Sequence, residues 1–173
     1  MSQWYMLSLT GKDRAGIVAR VTTALYEAGC NLGEASMMRL GGNFSIMLML
    51  RAEHSADELL QALDPVVKEL DLHVHLDSIE GGLHQHQIPD VRITVHGADR
   101  AGIVSRVTSS LAEAGLNILD LESDVAGSEA APIYIMIIEG QASRGLEPIE
   151  ALQQELEQQS IDVRVEPVQT YLG

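Results

Sequence analysis

The stretch GKDRAGIVARVTTALYEAGCN, residues 11–31, returns later in the chain as GADRAGIVSRVTSSLAEAGLN, residues 97–117. The two stretches are offset by 86 positions and are identical at 15 of 21. A match of this length at a fixed offset defines the architecture before any propensity argument does. The chain of 173 residues therefore consists of two copies of a unit of about 80 residues, the size of a small domain.

Both copies begin with a predicted strand and a predicted helix. Val91, Ile93 and Val95 alternate with polar residues, and the first copy has the same alternation near Tyr5, which predicts a half-buried strand. Gly29 lies where a left-handed helix cap belongs, as does its repeat Gly115. The apolar stripes predicted for the two helices are Ile17, Val18, Val21 and Leu25, and Ile103, Val104, Val107 and Leu111.

A hairpin follows each helix. In the first copy the strands are Leu32 to Leu40 and Phe44 to Arg51, joined by a tight glycine-rich turn. In the second copy we predict three added residues that form a longer loop from Gly127 to Pro132. This prediction aligns Phe44, Ile46 and Leu48 with Ile133, Ile135 and Ile137, an offset of 89.

A second helix and a fourth strand complete each copy. Ser55 and Glu58 have the spacing of a capping box that opens the helix. Pro65 lies inside the helical pattern, and we expect it to kink or divide the helix. Alternating apolar residues then predict closing strands near Val74 and Val163.

The order strand, helix, strand, strand, helix, strand is typical of the split βαβ, or ferredoxin-like, arrangement. We therefore predict an α+β protein whose domains span residues 1–80 and 90–173, joined by a linker at 81–89. Each domain is expected to hold an antiparallel four-stranded sheet with both helices on one face. Because open sheet edges invite pairing, we also expect the two sheets to join edge to edge.

The composition narrows the function classes. Lysine and arginine total 11 and aspartate and glutamate total 25, so the net charge is −14. A polyanion is repelled by nucleic acids and by acidic membranes. The single cysteine, Cys30, excludes an internal disulfide, and neither an export signal nor a membrane-spanning stretch is evident. We expect a cytoplasmic protein.

The repeated loops, Asp13 to Ile17 and Asp99 to Ile103, link the first strand of each copy to its first helix. A helix N-terminus presents free amides and partial positive charge, which suit a small carboxylate. A neighbouring aspartate can accept an ammonium group, so the pair of features fits a free α-amino acid. The competing interpretation is structural: aspartate caps the helix, glycine permits the turn, and asparagine follows the glycine cap.

The D-R-A-G-I-V loop, the E-A-G-x-N helix end and the βαββαβ order resemble the ACT domain, the regulatory amino-acid-binding module of many metabolic enzymes. Both copies match. The resemblance implies sensing of a small amino acid, glycine or serine, coupled to a DNA-binding regulator protein, without a cofactor. The ligand-binding residues that it implies are Asp13, Arg14, Ala15, Gly16, Ile17, Asn31, Asp99, Arg100, Ala101, Gly102, Ile103 and Asn117.

Three other functions fit the sequence less well. RNA binding by the sheet would need exposed aromatic residues and a basic surface, but aromatics are 3% of the chain. No nucleophile elbow or phosphate-binding loop indicates an enzyme. His73 and His75 share a strand face, and His84 and His86 follow in the linker, but no cysteine or carboxylate completes a recognised metal-ligand spacing.

The leading hypothesis is thus a non-catalytic regulator that binds its amino acid between the copies and favours one relative orientation of the two. The alternative is a dissociable regulatory subunit that confers feedback control on a metabolic enzyme. A third is a structural pair of domains whose sites no longer bind. A homodimer is compatible with all three.

Overall fold

Each half of the chain forms a four-stranded antiparallel sheet with two helices packed on one face. The computed structural model describes residues 2–80, 87–98, 102–128 and 131–168. The chain divides into two units, residues 1–85 and 86–173. The predicted α+β class with two ferredoxin-like units is confirmed. The edge-to-edge joining of the two sheets stays a prediction.

The first unit has the strand order β2-β3-β1-β4, so β2 and β4 are its edges. Every neighbouring pair in this sheet is antiparallel. The elements of the first unit are β1 (Gln3–Lys12), α1 (Ile17–Glu27), β2 (Asn31–Leu40), β3 (Asn43–Ala52), α2 (Ala56–Leu70) and β4 (His73–Ile79).

The second unit repeats this topology with the order β6-β7-β5-β8. Its strands are again all antiparallel. The elements are β5 (Val91–Ala98), α3 (Ile103–Glu113), β6 (Leu116–Ser128), β7 (Ala131–Ala142), α4 (Glu147–Gln158) and β8 (Asp162–Pro167). No helix among the described residues is long and apolar enough to cross a membrane.

Each unit has its own hydrophobic core between sheet and helices. In the first unit Leu7 and Leu9 of β1 are fully buried beneath Leu25 of α1 and Leu63 of α2. Burial of large aliphatic side chains contributes roughly 1.5–3 kcal/mol each. The cores therefore fix the position of the helix that follows each D-R-A-G-I-V loop.

Helix α1 ends as the glycine pattern predicts. Gly29 adopts a left-handed conformation with φ of +72°. Its amide donates to the Tyr26 carbonyl at 2.9 Å, and the Cys30 amide donates to the Leu25 carbonyl at 3.0 Å. These two bonds form a Schellman motif, which carries the Cys30 side chain into the core. Burial raises the pKa of the Cys30 thiol.

The capping box of α2 is confirmed. Ser55 Oγ accepts a hydrogen bond from the Glu58 amide, and Glu58 Oε2 accepts one from the Ser55 amide at 2.7 Å. This backbone hydrogen bond lowers the pKa of Glu58. Of the two outcomes expected at Pro65, the division is wrong, because α2 continues through it to Leu70, and the kink stays a prediction. Leu63 and Leu70, on either side of Pro65, are both buried, and this packing offsets the cost of roughly 3 kcal/mol.

The alignment of the second hairpin is wrong by one residue. Phe44 pairs with Gly11, and the repeat of Gly11, which is Gly97, pairs with Tyr134. The structural offset is therefore 90, not 89. Because a slip of one residue exchanges the two faces of a strand, Ile133 and Ile137 are exposed on the face without helices. The core positions that match Phe44, Ile46 and Leu48 are held by Tyr134, Met136 and Ile138.

The added residues also lie elsewhere than expected. Gly127 pairs with Pro132 and Ser128 with Ala131, so the predicted Gly127 to Pro132 loop is mostly strand. The insertion lengthens the hairpin of β6 and β7, because backbone groups paired across a ladder need no loop.

Candidate functional site

The loop that leads into α1 presents an uncapped helix N-terminus. Gly16 is the N-cap residue with φ of +87°, a conformation that L side chains rarely adopt. Within the described part of the chain, no side chain accepts a hydrogen bond from the first amides of α1. The interpretation that Asp13 caps this helix is therefore wrong. The amides that open the helix, with their partial positive charge, are available to an anionic group.

Asp13 instead ties the loop to the hairpin of β2 and β3. Its backbone amide donates to the Gly42 carbonyl at 3.0 Å, and its Oδ2 lies 3.2 Å from Nε of Arg39. The other carboxylate oxygen, Oδ1, is shielded from solvent and accepts no hydrogen bond from any described residue. A buried oxygen of a carboxylate without a donor is unfavourable, so this atom keeps an unused capacity to accept a hydrogen bond.

A cleft of about 450 Å³ lies beside this aspartate. Its lining is largely apolar and includes two arginines, Arg14 and Arg39. Val18, predicted in the buried stripe of α1, is 39% exposed because it lines this cleft instead of the core. The lining residues are Asp13, Arg14, Gly16, Ile17, Val18, Ala19, Met37, Arg39 and Phe44. The cleft thus joins helix amides, a carboxylate and an apolar wall.

Met37 and Arg39 were not predicted from the sequence as part of the site. Both come from the end of β2, which pairs with β3 so that Arg39 is opposite Phe44. The only signal in the sequence is their i, i+2 spacing, which places them on one face of a strand. Which face that is depends on the register of the hairpin.

Asn31 lies away from this cleft. It pairs with Arg51, which pairs with Trp4 at the start of β1, whereas Asp13 follows the other end of β1. Eight strand residues separate the two ends, roughly 27 Å. Within the first unit the structure therefore does not bring Asn31 to Asp13. Asn31 lines a separate polar cleft of about 260 Å³ with Arg51, Glu53 and His54 among its neighbours.

The second unit repeats the backbone of the loop end. Gly102 is the N-cap of α3 with φ of +87°, and no side chain among the described residues caps that helix. Val104, like Val18, is partly exposed, at 37%, and so departs from its predicted buried stripe. Asp99, Arg100 and Ala101, predicted as ligand contacts, lie outside the described residues.

The hairpin behind this second loop carries different side chains. Tyr134 pairs with Gly97 and with Val125, just as Phe44 pairs with Gly11 and with Arg39. Val125 therefore occupies the position of Arg39, and its side chain is exposed. Asn117 lies at the opposite end of the sheet, where its Nδ2 donates to Gln87 Oε1 at 3.0 Å.

His73 and His75 are not among the residues that line the Asp13 cleft. His73 and His75 are exposed on β4, and Nε2 of His75 lies 2.9 Å from Asp77 Oδ2. His84 and His86 lie outside the described residues. No group of three potential metal ligands comes together in the described part of the chain.

Comparison with known proteins identifies the repeated unit. Residues 4–77 and residues 91–157 each match the ACT domain. The glycine cleavage system transcriptional repressor of Escherichia coli (strain K12) is 28% identical over 141 residues, which cover 79% of this chain and 74% of that protein. A UPF0237 protein of Methanosarcina mazei is 32% identical over 90 residues, half of this chain and 98% of its own length.

Two crystal structures resemble the fold along nearly the whole chain. An unknown protein from Galdieria sulphuraria has a TM-score of 0.77 at 25% identity, with 98% of this chain and 100% of that one covered. A candidate glycine cleavage system transcriptional repressor has a TM-score of 0.70 at 18% identity, with 98% and 99% covered. At that identity the second match shows the fold alone.

Proposed function

The chain belongs to the ACT domain family, with one domain in each half, and we propose that it is a non-catalytic regulator that senses a free amino acid. The observation that carries the proposal is the cleft of the first unit, where uncapped helix amides face a carboxylate with one unpaired oxygen. The similarity to the Escherichia coli repressor supports a role in transcriptional control of the glycine cleavage system.

The ligand's two charged ends have separate partners in this cleft. Its carboxylate accepts hydrogen bonds from the first amides of α1, and its ammonium group donates to Asp13 Oδ1. The apolar wall formed by Val18, Met37 and Phe44 takes the side chain. A site with fixed donors and acceptors discriminates strongly against molecules that lack one charged end, because the unmatched group stays buried without a partner.

The regulator acts through a protein partner rather than on DNA. A net charge of −14 disfavours contact with phosphates. The partner is a DNA-binding regulator, which requires a basic surface and is therefore electrostatically complementary to this chain. Binding of glycine or serine shifts the population of conformations presented to that partner, for which a coupling of about 1–3 kcal/mol is enough.

Calorimetric titration of the purified chain with glycine, serine and other free amino acids tests the sensor function. We expect saturable binding that is weakened by Asp13→Ala or by Asp99→Ala and lost in the double variant. Asp77→Ala is the matched control, because it removes one negative charge on β4 and Asp77 does not line the Asp13 cleft. No binding of any amino acid to the wild-type chain would refute the sensor function.

Affinity capture from a lysate of the source cells, with and without the amino acid that binds, tests the partner. Recovery of a DNA-binding regulator in a ligand-dependent amount supports transcriptional control. Recovery of a biosynthetic enzyme instead would make the chain a dissociable subunit for feedback control. Neither result changes the outcome of the calorimetric titration, which tests amino-acid binding separately.

A further inference from the structure

The second sheet has an apolar stripe on the face that carries no helices. Met136 and Ile138 of β7 are buried in the core, so the alternate residues Ile133, Ile135 and Ile137 point the other way. Ile133 is 49% exposed and Ile137 is 38% exposed. These three residues, the isoleucine stripe, form an apolar surface that the described part of the chain leaves partly open to solvent. Aligned exposed isoleucines on one strand are typical of a surface that binds a partner.

The edge strand beside the isoleucine stripe is acidic. Asp124 of β6 is opposite Ile135, and Glu122 is opposite Ile137. Both carboxylates therefore lie on the same face as the stripe, and both residues are exposed. Among the described residues, neither of them has a cationic partner.

The β5 side of the stripe has no such unbalanced charge. Arg92 and Glu139 lie opposite each other and form an ion pair, in which Arg92 Nε donates to Glu139 Oε1 at 2.7 Å. Thr94 and His96, the next residues of β5 on this face, carry no negative charge. The negative charge that flanks the isoleucine stripe therefore lies on β6.

A helix has the dimensions to cover the stripe and reach β6 together. The backbone of β7 already pairs with β6 on one side and β5 on the other, so β7 cannot pair with a further strand. A helix is about 10 Å across with its side chains, whereas neighbouring strands are about 4.8 Å apart. A helix that lies along β7 therefore contacts the isoleucines and places one flank over Glu122 and Asp124.

The charge of the chain decides which helix fits. A second copy carries the same net charge of −14 and is repelled. The helices of a second copy also use their apolar faces in their own cores. A helix of another protein with lysine or arginine along one flank instead places cations beside the exposed carboxylates of β6, while its apolar stripe covers the isoleucines.

We propose that the isoleucine stripe of β7, together with Glu122 and Asp124 of β6, is the docking surface for a basic amphipathic helix of the protein partner. The inference rests on the proposed function for the existence of that partner, and it adds where the partner binds and the chemistry of its contact segment. That segment has apolar residues at helical spacing and basic residues on one flank. The docking surface shares no residue with the Asp13 cleft.

Fluorescence anisotropy of a labelled peptide, titrated with the full chain, tests the docking surface. The probe is a peptide of leucine and lysine, about four helical turns long, with leucine at helical spacing. The same peptide with glutamate at every lysine position is the charge control. We expect the lysine peptide to bind saturably, with an affinity that falls as salt rises, and the glutamate peptide not to bind.

Two double variants separate the apolar contribution from the charged one. Ile133→Thr with Ile137→Thr keeps branched side chains on the strand but removes apolar contact, and should weaken binding of the lysine peptide about tenfold. Glu122→Gln with Asp124→Asn should weaken it about three- to tenfold at low salt and reduce its salt dependence. Circular dichroism establishes that each variant is folded.

The matched control is Glu150→Gln with Glu155→Gln, which removes the same charge from α4 on the opposite face of the sheet. Its affinity for the lysine peptide should equal that of the wild-type chain. An equal loss in this control, equal binding of the two peptides, or no binding of the lysine peptide would overturn the inference. Unchanged affinity in the isoleucine variant would overturn it as well.

Two further measurements identify the occupant. Sedimentation equilibrium that shows a wild-type dimer, converted to a monomer by Ile133→Thr with Ile137→Thr, would make the occupant a second copy and refute the inference. In the affinity capture, the isoleucine variant should recover less of the DNA-binding regulator than the wild-type chain, and equal recovery would place the contact elsewhere. Amino-acid binding, measured by calorimetry in the same variants, should be unchanged, so failure of the docking surface is distinguishable from failure of the sensor function.

Discussion

The two hairpins, β2 with β3 and β6 with β7, fill the same place in their units with different side chains, whereas the loops before them are nearly identical. The loop needs a glycine at φ of +87° in both units, so few sequences satisfy it. A hairpin needs apolar residues on one face, which many sequences provide. Duplication therefore left the two units with the same glycine conformation where the first helix begins and with different side chains in the hairpin that follows.

The difference in side-chain size between the two hairpins is greatest at one core position of β3 and β7. Leu50 of β3 is fully buried, and the matching position of β7 is Gly140, also buried. A Cβ on Gly140 would lie 2.4 Å from the Asn117 carbonyl oxygen. One unit thus requires a large side chain at this position, and the other excludes any side chain.

Leu50→Ala should have the largest effect, a loss of about 2–5 kcal/mol in the free energy of unfolding, because it leaves a cavity in the first core. Denaturant unfolding followed by fluorescence reports it, since Trp4 is the only tryptophan and lies in the first unit. A loss smaller than that of an exposed control such as Met47→Ala would contradict the packing described here.

Gly140→Ala should destabilise the second unit by about 1–3 kcal/mol, because the added methyl group forces β6 and β7 apart. Circular dichroism should detect the earlier transition while the Trp4 fluorescence transition keeps its midpoint. The matched control is Gly145→Ala, whose Cβ meets nothing within 4 Å but whose φ of +84° adds strain. A stabilised Gly140→Ala chain would show that the close approach does not exist.

Ser55→Ala should cost about 0.5–2 kcal/mol at neutral pH, because it removes the capping box from α2. The helix α4 has Leu146 at its N-cap and no side-chain cap bond, so the second unit has no equivalent loss. The pKa of Glu58 is lowered in the folded chain, so its contribution is present above the pKa of the unfolded chain and is lost as the pH falls through the lower folded value. The penalty of Ser55→Ala should therefore shrink in acid, measured by denaturation at pH 7 and pH 3.

The smallest effect is expected for Arg20→Ala, which breaks the exposed pair with Glu69 between α1 and α2. This pair lowers the pKa of Glu69 through its hydrogen bond. The loss of stability should be smaller than that of Ser55→Ala and should vanish at high salt. Arg106, the repeat of Arg20 in α3, has no ion-pair partner within the described ranges, and Arg106→Ala should show no salt-dependent loss.

Much of the fold could be predicted because the repeat allowed each half to check the other. The helix caps at Gly29 and Ser55, the element order and the fold class follow from local patterns. The face of β7 could not be predicted, because isoleucine occurs on both of its faces between Ile133 and Ile138. Only pairing with β5 decides which isoleucines are buried, and such pairing is not a local property.

The candidate site also contains residues that the sequence predicts and residues that it does not. Asp13 and Gly16 were predicted because they lie in one contiguous loop, where the residue types alone indicate a carboxylate beside a helix N-terminus. Arg39 and Met37 could not be, because they reach the loop across a hairpin whose register must be known first. Asn31, contiguous with the helix end, was predicted as a contact, yet the strand that it opens starts at the far end of the sheet from Asp13.

The burial of Cys30 makes its thiol a probe for the opening of the first unit. Its thiol is the only one in the chain, is packed in the core of the first unit and has a raised pKa, so a thiol reagent reacts only when that unit opens. The second unit has Leu116 at the repeated position and contains no cysteine, so it does not react with the reagent. An amino acid that binds the first unit as proposed should slow the labelling, because it would bind the closed form. Labelling kinetics of the unmodified chain would therefore report occupancy of the proposed site in the first unit.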